Sequence, residues 1–374
     1  MTGLAVRGFK SIRDECRIEI EPLTILAGAN SAGKSSIVQP LLLLKQTLEA
    51  TYDPGALLLD GPNVRFTSAE QLLCRLSPKR NADSFSIKVE APGKASLSDT
   101  FRKPTHSELQ LAEMVYRVGD RELSLREEMS QEDLGRVIPQ EYEVIRKTGV
   151  DQTEWAVVRS RCFLGIGLRP PIGGGAAQTF ALSFPTIPTQ RFARQIRQLI
   201  HVPGLRGNPA RTYQSSAVSD TFPGTFEPYV AGVISKWQKS GDPRLGKLED
   251  ALETLGLASR VEAIPVDDTQ VELRVGRLLR RSVDRRTDDF VSVADVGFGV
   301  SQVLPVLVAL LVAEPGQLVY IRATGDSPAS PGAGGHGVAH GRRRQRRSQT
   351  DRRNAQCFDS PRDSGPRRRR TASI

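Results

Sequence analysis

The sequence predicts a mixed α/β protein built around a phosphate-binding loop near its start. Three observations support this prediction: a glycine-containing segment that ends in Lys34-Ser35, an apolar run before it, and a helical pattern after it. The chain has 374 residues, of which 39% are hydrophobic and 25% charged, as in ordinary globular proteins. That length predicts one large domain or two.

The first predicted element is a β-hairpin. Residues 4–9 alternate between apolar and polar side chains, and residues 17–20 repeat the pattern after a polar turn. The apolar run 23–27 then leads directly into the glycine-containing segment, and we expect it to form a strand.

The loop fits the pattern G-x-x-x-x-G-K-[ST]. Glycines let successive backbone N–H groups face one anion, and the positive end of the following helix adds to the attraction. Lys34 would reach the β- and γ-phosphates, and the Ser35 hydroxyl would hold Mg²⁺. The sequence therefore predicts a P-loop NTPase that binds ATP and Mg²⁺, with nucleotide contacts from Gly28, Ala29, Asn30, Ser31, Ala32, Gly33, Lys34, Ser35 and Ser36. The alternative is a glycine turn with a solvated lysine.

The segment after the loop, residues 34–49, has the apolar pattern of a helix buried against a sheet. Pro40 removes one helical hydrogen bond and is expected to kink this helix. Gln39 and Gln46 are candidates for sensing the nucleotide, but polar residues on a helix face are the favoured explanation.

Residues 55–190 are less informative, and we interpret them as an inserted region. They suggest strands over residues 84–89 and 154–160 and a charged helix over residues 107–116. Glycine clusters at residues 165–167 and 173–175 favour a mobile loop. No heptad repeat is sustained, so a long coiled-coil arm is not expected.

An amphipathic helix is predicted over residues 190–200, followed by a turn that presents Arg206 and Arg211. Two such arginines could bind phosphate bidentately, but solvated loop arginines are the commoner case.

A second glycine-containing turn occupies residues 290–302 and leads into the apolar run 303–313. A serine at a helix start, here Ser301 with Gln302 beside it, would form another anion site from backbone N–H groups and the helix dipole. An ordinary N-cap on a core helix is the alternative.

Three segments together resemble the RecF-like and SMC-like AAA ATPases, whose head is of the ABC type: Gly8-Phe9-Lys10-Ser11, Pro22-Leu23-Thr24 with the following loop, and residues 290–302. The resemblance implies an ABC-ATPase-type head with a mixed sheet over residues 1–321. It also implies ATP hydrolysis, with Lys10 and Ser11 beside the nucleotide.

In that family Ser301 and Gln302 would act on ATP held by the opposite subunit, which implies a nucleotide-gated homodimer. DNA maintenance or defence is the expected setting. An ATP-gated regulatory partner of an effector such as a nuclease, or a non-hydrolysing truncated remnant, is the alternative function.

The resemblance stops after the apolar strand 317–321. The family expects a magnesium-binding acid and a catalytic glutamate there, but the chain continues with Arg322-Ala323-Thr324-Gly325. No catalytic residue can therefore be assigned. Residues 322–374 form a tail rich in Arg, Ser, Pro and Gly, a composition typical of disorder.

The genetic code suggests a reason for this break. If the first nucleotide of the Arg322 codon is dropped, allowed codons for residues 322–333 spell Glu-Gln-Pro-Glu-Ile-His-Leu-His-Pro-Arg-Ala-Gln. In the same frame, residues 352–356 permit Val-Glu-Thr-His-Ser. The two stretches resemble the family's Walker B and switch-histidine segments, so we interpret residues 322–374 as out-of-frame translation.

The competing interpretation is a basic arm that binds nucleic acid. The net charge is +10, but residues 322–374 contain 13 Arg, no Lys and 4 Asp, which leaves 39 basic and 38 acidic residues elsewhere. Only residues 322–374 thus have an excess of positive charge that would indicate DNA binding. No charged-then-apolar leader and no apolar stretch of spanning length are seen, so we expect a cytoplasmic protein without a membrane partner.

Overall fold

The protein has a mixed α/β fold. The computed structural model describes residues 1–29, 32–78, 80–105, 107–138, 154–169, 180–182, 189–204, 209–214, 221–276 and 289–322. Asn30, Ser31, Arg206, the glycines at 173–175 and residues 323–374 lie outside these ranges. No helix in the described ranges is both long enough and apolar enough to cross a membrane.

The strands, in chain order, are β1 Gly3–Arg7, β2 Cys16–Glu19, β3 Arg75–Ser77, β4 Arg80–Asn81, β5 Ser84–Ala91, β6 Ala95–Arg102, β7 Gln110–Val118, β8 Arg121–Leu125, β9 Glu154–Ser160, β10 Phe163–Arg169, β11 Phe180–Leu182, β12 Ile200–Val202, β13 Tyr213–Gln214, β14 Arg260–Pro265, β15 Gln270–Gly276, β16 Phe290–Ser292 and β17 Val319–Ile321. The α-helices are α1 Gln39–Glu49, α2 Gln131–Val137, α3 Thr189–Arg197, α4 Val230–Ser240, α5 Arg244–Thr254 and α6 Phe298–Val312.

The predicted N-terminal hairpin is confirmed and forms one edge of a larger sheet. β1 pairs antiparallel with β2, and β5 lies on the other side of β1. The six-stranded order is β2-β1-β5-β6-β7-β8. Much of the predicted inserted region therefore continues the sheet that the first hairpin begins.

The helix predicted over residues 107–116 is wrong, because this segment contains most of strand β7. β7 pairs with β6 on one side and with β8 on the other, and Leu111 and Met114 are fully buried. Two flanking strands and a core face outweigh the local helix propensity of a charged segment. Gly165 and Gly167, assigned to a mobile loop, likewise lie in strand β10, whereas β9 matches its predicted bounds.

Helix α1 is buried along almost its whole length, as the apolar pattern predicted. Pro40 does not kink it, since the helix begins at Gln39 and Pro40 lies in its first turn. The N–H group that proline lacks is not needed in a first turn. Proline therefore marks where the helix begins.

The described residues form two hydrophobic cores, one over residues 4–199 and one over residues 200–309. β12 and β17 pair in parallel between them, with Ile200 opposite Val319 and His201 opposite Tyr320. Side chains of β17 alternate between the cores: Tyr320 packs on the first, and Val319 and Ile321 on the second. Burial on both faces is typical of parallel sheets.

Strand β6 carries a buried carboxyl group in the first core. Asp99 is 1% exposed, and its Oδ1 has no hydrogen-bond partner among the described residues. Burial raises the pKa of Asp99 well above its ordinary value, and burial also raises the pKa of the neighbouring Cys162 thiol. Asp99 therefore lowers the free energy of unfolding at any pH at which its carboxyl group would be ionised in the unfolded chain.

We expect Asp99→Asn to stabilise the protein by about 1–3 kcal/mol at pH 8 and by much less at pH 5. The folded-state pKa is raised, so the contribution of Asp99 to stability is complete below its unfolded pKa near 3.8 and declines as pH rises toward the folded value. Urea unfolding of both proteins at the two pH values measures this. An equal gain in the free energy of unfolding at both pH values would show that ionisation of Asp99 is not the cause.

Candidate phosphate-binding site

The predicted phosphate loop lies at the surface, but its two flanking elements differ from expectation. Residues 23–27 form no strand, and Leu23 and Ile25 are exposed. Lys34 to Val38 form hydrogen-bonded turns, so the helix begins at Gln39 rather than at Lys34. The strand is lost because no neighbouring strand among the described residues pairs with it, and β-structure needs such partners.

Lys34 folds back over the loop. Its Nζ donates to the carbonyl oxygens of Gly28 and Ala29, at 2.8 and 2.9 Å. Among the described residues, these two exposed, neutral carbonyl groups are the hydrogen-bond acceptors of the ammonium group. An incoming anion can replace these acceptors, since a charged acceptor binds an ammonium group more strongly than a carbonyl does.

The second glycine of the motif is required by its backbone conformation. Gly33 has a φ of +92°, a value that other L-residues rarely adopt. Ser36 N then donates to Gly33 O at 2.8 Å, and Gln39 N donates to Ser35 O at 3.0 Å. These bonds begin the turns that lead from the loop into α1.

The loop adjoins the carboxyl ends of the two parallel strands. Burial raises the pKa of the Tyr320 hydroxyl in β17, while the Arg322 charge and a hydrogen-bonding interaction with the Ser35 side chain lower it. Arg322 follows β17 directly, and its backbone N–H donates to Val202 O at 3.0 Å. Ligands of parallel α/β sheets bind at this edge, where the strands end.

Lys10 is a second cation beside the start of α1. Its Nζ donates to Gln39 Oε1 at 3.1 Å and lies 4.9 Å from the centre of the Phe66 ring. Burial lowers the pKa of Lys10, and the nearby Arg322 charge lowers it further. Lys10 therefore lies close to the loop, as the sequence suggested, whereas Ser11 is an exposed residue.

His201 and Tyr320 lie opposite each other on the paired strands β12 and β17. Their rings stack with centroids 5.5 Å apart, and His201 Nδ1 lies 3.0 Å from Asn63 Oδ1. Burial, followed by the charges of Lys45 and Arg322, lowers the pKa of His201 to about 4. The imidazole is thus neutral at pH 7, and we assign its proton to Nδ1, which donates to Asn63.

We expect His201 to make the protein sensitive to acid. Because its pKa falls from 6.5 to about 4 on folding, its contribution is complete above pH 6.5 and is lost as pH falls toward 4. The full loss is about 3 kcal/mol. Chemical unfolding of the wild type and of His201→Gln across this range should give a shallower pH slope for the variant; parallel slopes would contradict it.

Two other candidates have structural partners. The Gln46 side chain is buried and bonds the backbone of Leu58, Asn63 and Val64, so it holds a turn and is not available to a nucleotide. Arg211 forms a bidentate pair with Asp295, with nitrogen–oxygen distances of 3.0 and 2.7 Å. That pair joins the turn that carries Arg211 to the turn before α6.

Ser301 does not open a helix. α6 begins at Phe298, one turn earlier, and the Ser301 side chain is 8% exposed. The helix starts early because Val300, Leu304 and Val308 share one face on the second core. The N–H groups at this helix end therefore belong to Gly297–Val300, while Gln302 is half-buried.

The described residues fit phosphate better than they fit a magnesium ion. Lys34, Lys10 and Arg322 bring positive charge to the loop, whereas Ser35 supplies a single neutral oxygen. Within the described ranges, no three His, Cys, Asp or Glu side chains come together as a metal site. Since Mg²⁺ prefers carboxylate and phosphate oxygens, the Ser35 hydroxyl by itself does not make a magnesium site.

Sequence reasoning missed His201, Tyr320 and Arg322 as neighbours of the loop. Two short apolar segments, residues 199–202 and 318–321, each contain one ring side chain with a polar group. This pattern was the signal that could have pointed to them. Their parallel pairing, which brings the two rings together, could not be read from either segment alone.

No protein-family model matches this chain, and no curated protein matches it at a significant level.

Proposed function

We propose that this protein binds ATP through the loop formed by residues 28–36. One observation carries the proposal: the Lys34 ammonium group folds back over the exposed start of the loop and donates to the carbonyl oxygens of Gly28 and Ala29. Lys10 and Arg322 add positive charge beside it. Such a concave, cationic loop at the carboxyl end of parallel strands suits a polyphosphate.

The resemblance to RecF-like and SMC-like AAA ATPases extends this proposal. It suggests a P-loop NTPase head of ABC type and ATP hydrolysis by a homodimer. It also suggests a link to DNA or to an effector protein.

A second candidate function is ATP binding without hydrolysis. The observation that favours it is Arg322, a cation at the end of β17 where hydrolysis needs an acid. Its charge lowers the pKa of three neighbours, Lys10, His201 and Tyr320, so it lies inside the candidate site. In this form the chain would serve as an ATP-responsive regulator or a remnant.

Calorimetric titration with ATP, ADP and AMP in the presence of Mg²⁺ tests the binding proposal. A loop that recognises β- and γ-phosphates should bind ATP most tightly and AMP at least about 100-fold more weakly, because charge-assisted hydrogen bonds contribute about 1.5–3 kcal/mol each. Equal affinity for ATP and AMP would contradict the assignment.

A further inference from the structure

Helix α1 carries a buried ion pair at its C-terminal end. Lys45 is fully buried, and its Nζ donates to a carboxylate oxygen of Glu49, one turn later on the same helix. The Glu49 side chain is itself almost fully buried, and Lys45 Nζ also donates to Arg197 O at 3.4 Å. Burial removes the hydration of both charges, which is unfavourable unless other polar groups replace it. The pair is therefore expected to make further contacts that compensate for the lost water.

Those further contacts are made with the backbone of residues 222–224. Lys45 Nζ donates to Phe222 O at 3.0 Å, and the Gly224 N–H group donates to Glu49 Oε2 at 3.0 Å. Each charged group thus meets a backbone group of opposite polarity. Phe222 belongs to the second core, whereas α1 packs in the first. Within the described ranges, these two bonds are the hydrogen bonds that join α1 to this segment of the second core.

The segment that receives the pair is itself fixed in the second core. Phe222 and Phe226 are buried and pack edge to face, with ring centroids 4.9 Å apart. Phe226 N donates to His201 O at 2.8 Å, which ties the segment to β12. Gly224 has a φ of +74°, and an added Cβ there would lie 3.2 Å from Pro62 Cβ. Lys45 and Glu49 therefore bond to a backbone segment with little freedom to move alone.

The opposite end of α1 follows the phosphate loop. α1 is one continuous helix of 11 residues, which spans about 16 Å, and the turns before it contain Lys34. Arg322, whose charge acts on Lys10 and Tyr320, follows β17, and β17 pairs with β12. The loop thus precedes a helix of the first core, whereas Arg322 follows a strand that is paired with the second. Their relative placement depends on how α1 is fixed to the second core.

We propose that the Lys45–Glu49 pair is an anchor that fixes α1, and with it the phosphate loop, to the second core. Sliding of α1 along residues 222–224 would leave buried charges without their partners, which is strongly unfavourable. Lys45 and Glu49 are thus positioning residues that act at the far end of the helix from the loop. The anchor itself does not depend on ATP, whereas its effect on ATP binding rests on the proposed function.

A double variant removes the anchor without leaving a charge unpaired. Lys45→Met with Glu49→Leu replaces the pair with apolar side chains of similar volume, and such a replacement of a buried ion pair is often neutral or stabilising. Lys45→Met alone leaves Glu49 buried without its partner, so its unfolding equilibrium constant should rise by at least about 100-fold in urea unfolding. The double variant is therefore expected to fold although it lacks the bonds to residues 222–224.

Amide hydrogen exchange shows whether the loop end of α1 is released. Exchange of residues 32–44, which precede the substituted positions, is followed by peptide mass spectrometry. In the double variant we expect exchange there to be at least about tenfold faster, because the open fraction of the helix rises once the anchor is removed. Helix α5 should exchange as in the wild type. The matched control is Glu132→Leu with Arg136→Met, which removes an exposed pair of the same spacing in α2 and should leave residues 32–44 unchanged.

Wild-type exchange of residues 32–44 in the double variant would overturn the anchor. So would faster exchange of equal size in α5, because it would reflect a general loss of stability. Lys45→Met with Glu49→Gln keeps an acceptor for the Gly224 N–H group, so it should restore part of the protection of residues 32–44. If the first double variant does not fold, this second one is compared with the wild type, and an unchanged exchange rate then overturns the anchor.

Calorimetric titration with ATP and Mg²⁺ tests the positioning of the loop separately. We expect the double variant to bind ATP about tenfold more weakly, which corresponds to ordering one or two further side chains on binding. Unchanged ATP affinity together with faster exchange of residues 32–44 would overturn the positioning role. If the wild type binds no ATP, the proposed function fails, while the exchange rates still decide whether the anchor exists.

Discussion

Lys34→Ala is expected to weaken ATP binding by about 100-fold or more while leaving the fold intact. Among the described residues, the Lys34 ammonium group makes two hydrogen bonds, both to exposed loop carbonyl oxygens, which can bond to water once the ammonium group is removed. Its charge-assisted bonds to phosphate contribute about 3 kcal/mol, which sets the size of the effect. Calorimetry with ATP and Mg²⁺ measures the change.

Lys247→Ala is the matched control. Lys247 is an exposed lysine on α5, and this helix packs against the second core rather than the first. It should bind ATP as the wild type does. Both variants should unfold at the wild-type temperature, which separates a lost contact from a lost fold. Unchanged ATP affinity in Lys34→Ala would contradict the proposal that this loop binds ATP.

The sequence predicted local elements well where one periodic pattern decides the outcome. The hairpin β1–β2, strand β9 and the buried face of α1 follow directly from alternation or helical spacing. β7 was mistaken for a helix although its partners β6 and β8 are its neighbours in the chain. The two-residue turn Gly119-Asp120, which joins β7 to β8, was the hairpin signal that was missed.

The residues of the candidate site also divide into those that the sequence could predict and those that it could not. Gly33 and Lys34 could be identified from residue type and spacing, since backbone geometry and charge require them. The positions of Lys10, Tyr320 and Arg322 around the loop depend on how β17 pairs with β12, and this became visible only in the fold. The exposed Leu23 and Ile25 could not be foreseen either, because the apolar run before the loop predicts a buried strand.

Deletion of the first nucleotide of the Arg322 codon, which gives a frame-restored protein, is expected to add ATP hydrolysis to the proposed ATP binding. In the shifted frame, allowed codons after β17 read Glu-Gln-Pro-Glu, which would replace the Arg322 cation near Tyr320 with carboxylates. A positioned carboxylate that accepts the proton of the attacking water contributes about 10²–10⁴-fold to a rate. Phosphate release from ATP should therefore rise by at least about 100-fold over the chain as translated.

Two variants of the frame-restored protein make this result specific. Lys34→Ala should abolish hydrolysis together with binding, which excludes a contaminating ATPase. Replacing the second glutamate of the shifted Glu-Gln-Pro-Glu stretch with glutamine should preserve ATP binding and remove hydrolysis, because glutamine keeps the shape of glutamate but cannot accept the proton. Equal rates in the frame-restored protein and the chain as translated would show that residues after Ile321 do not supply the missing chemistry.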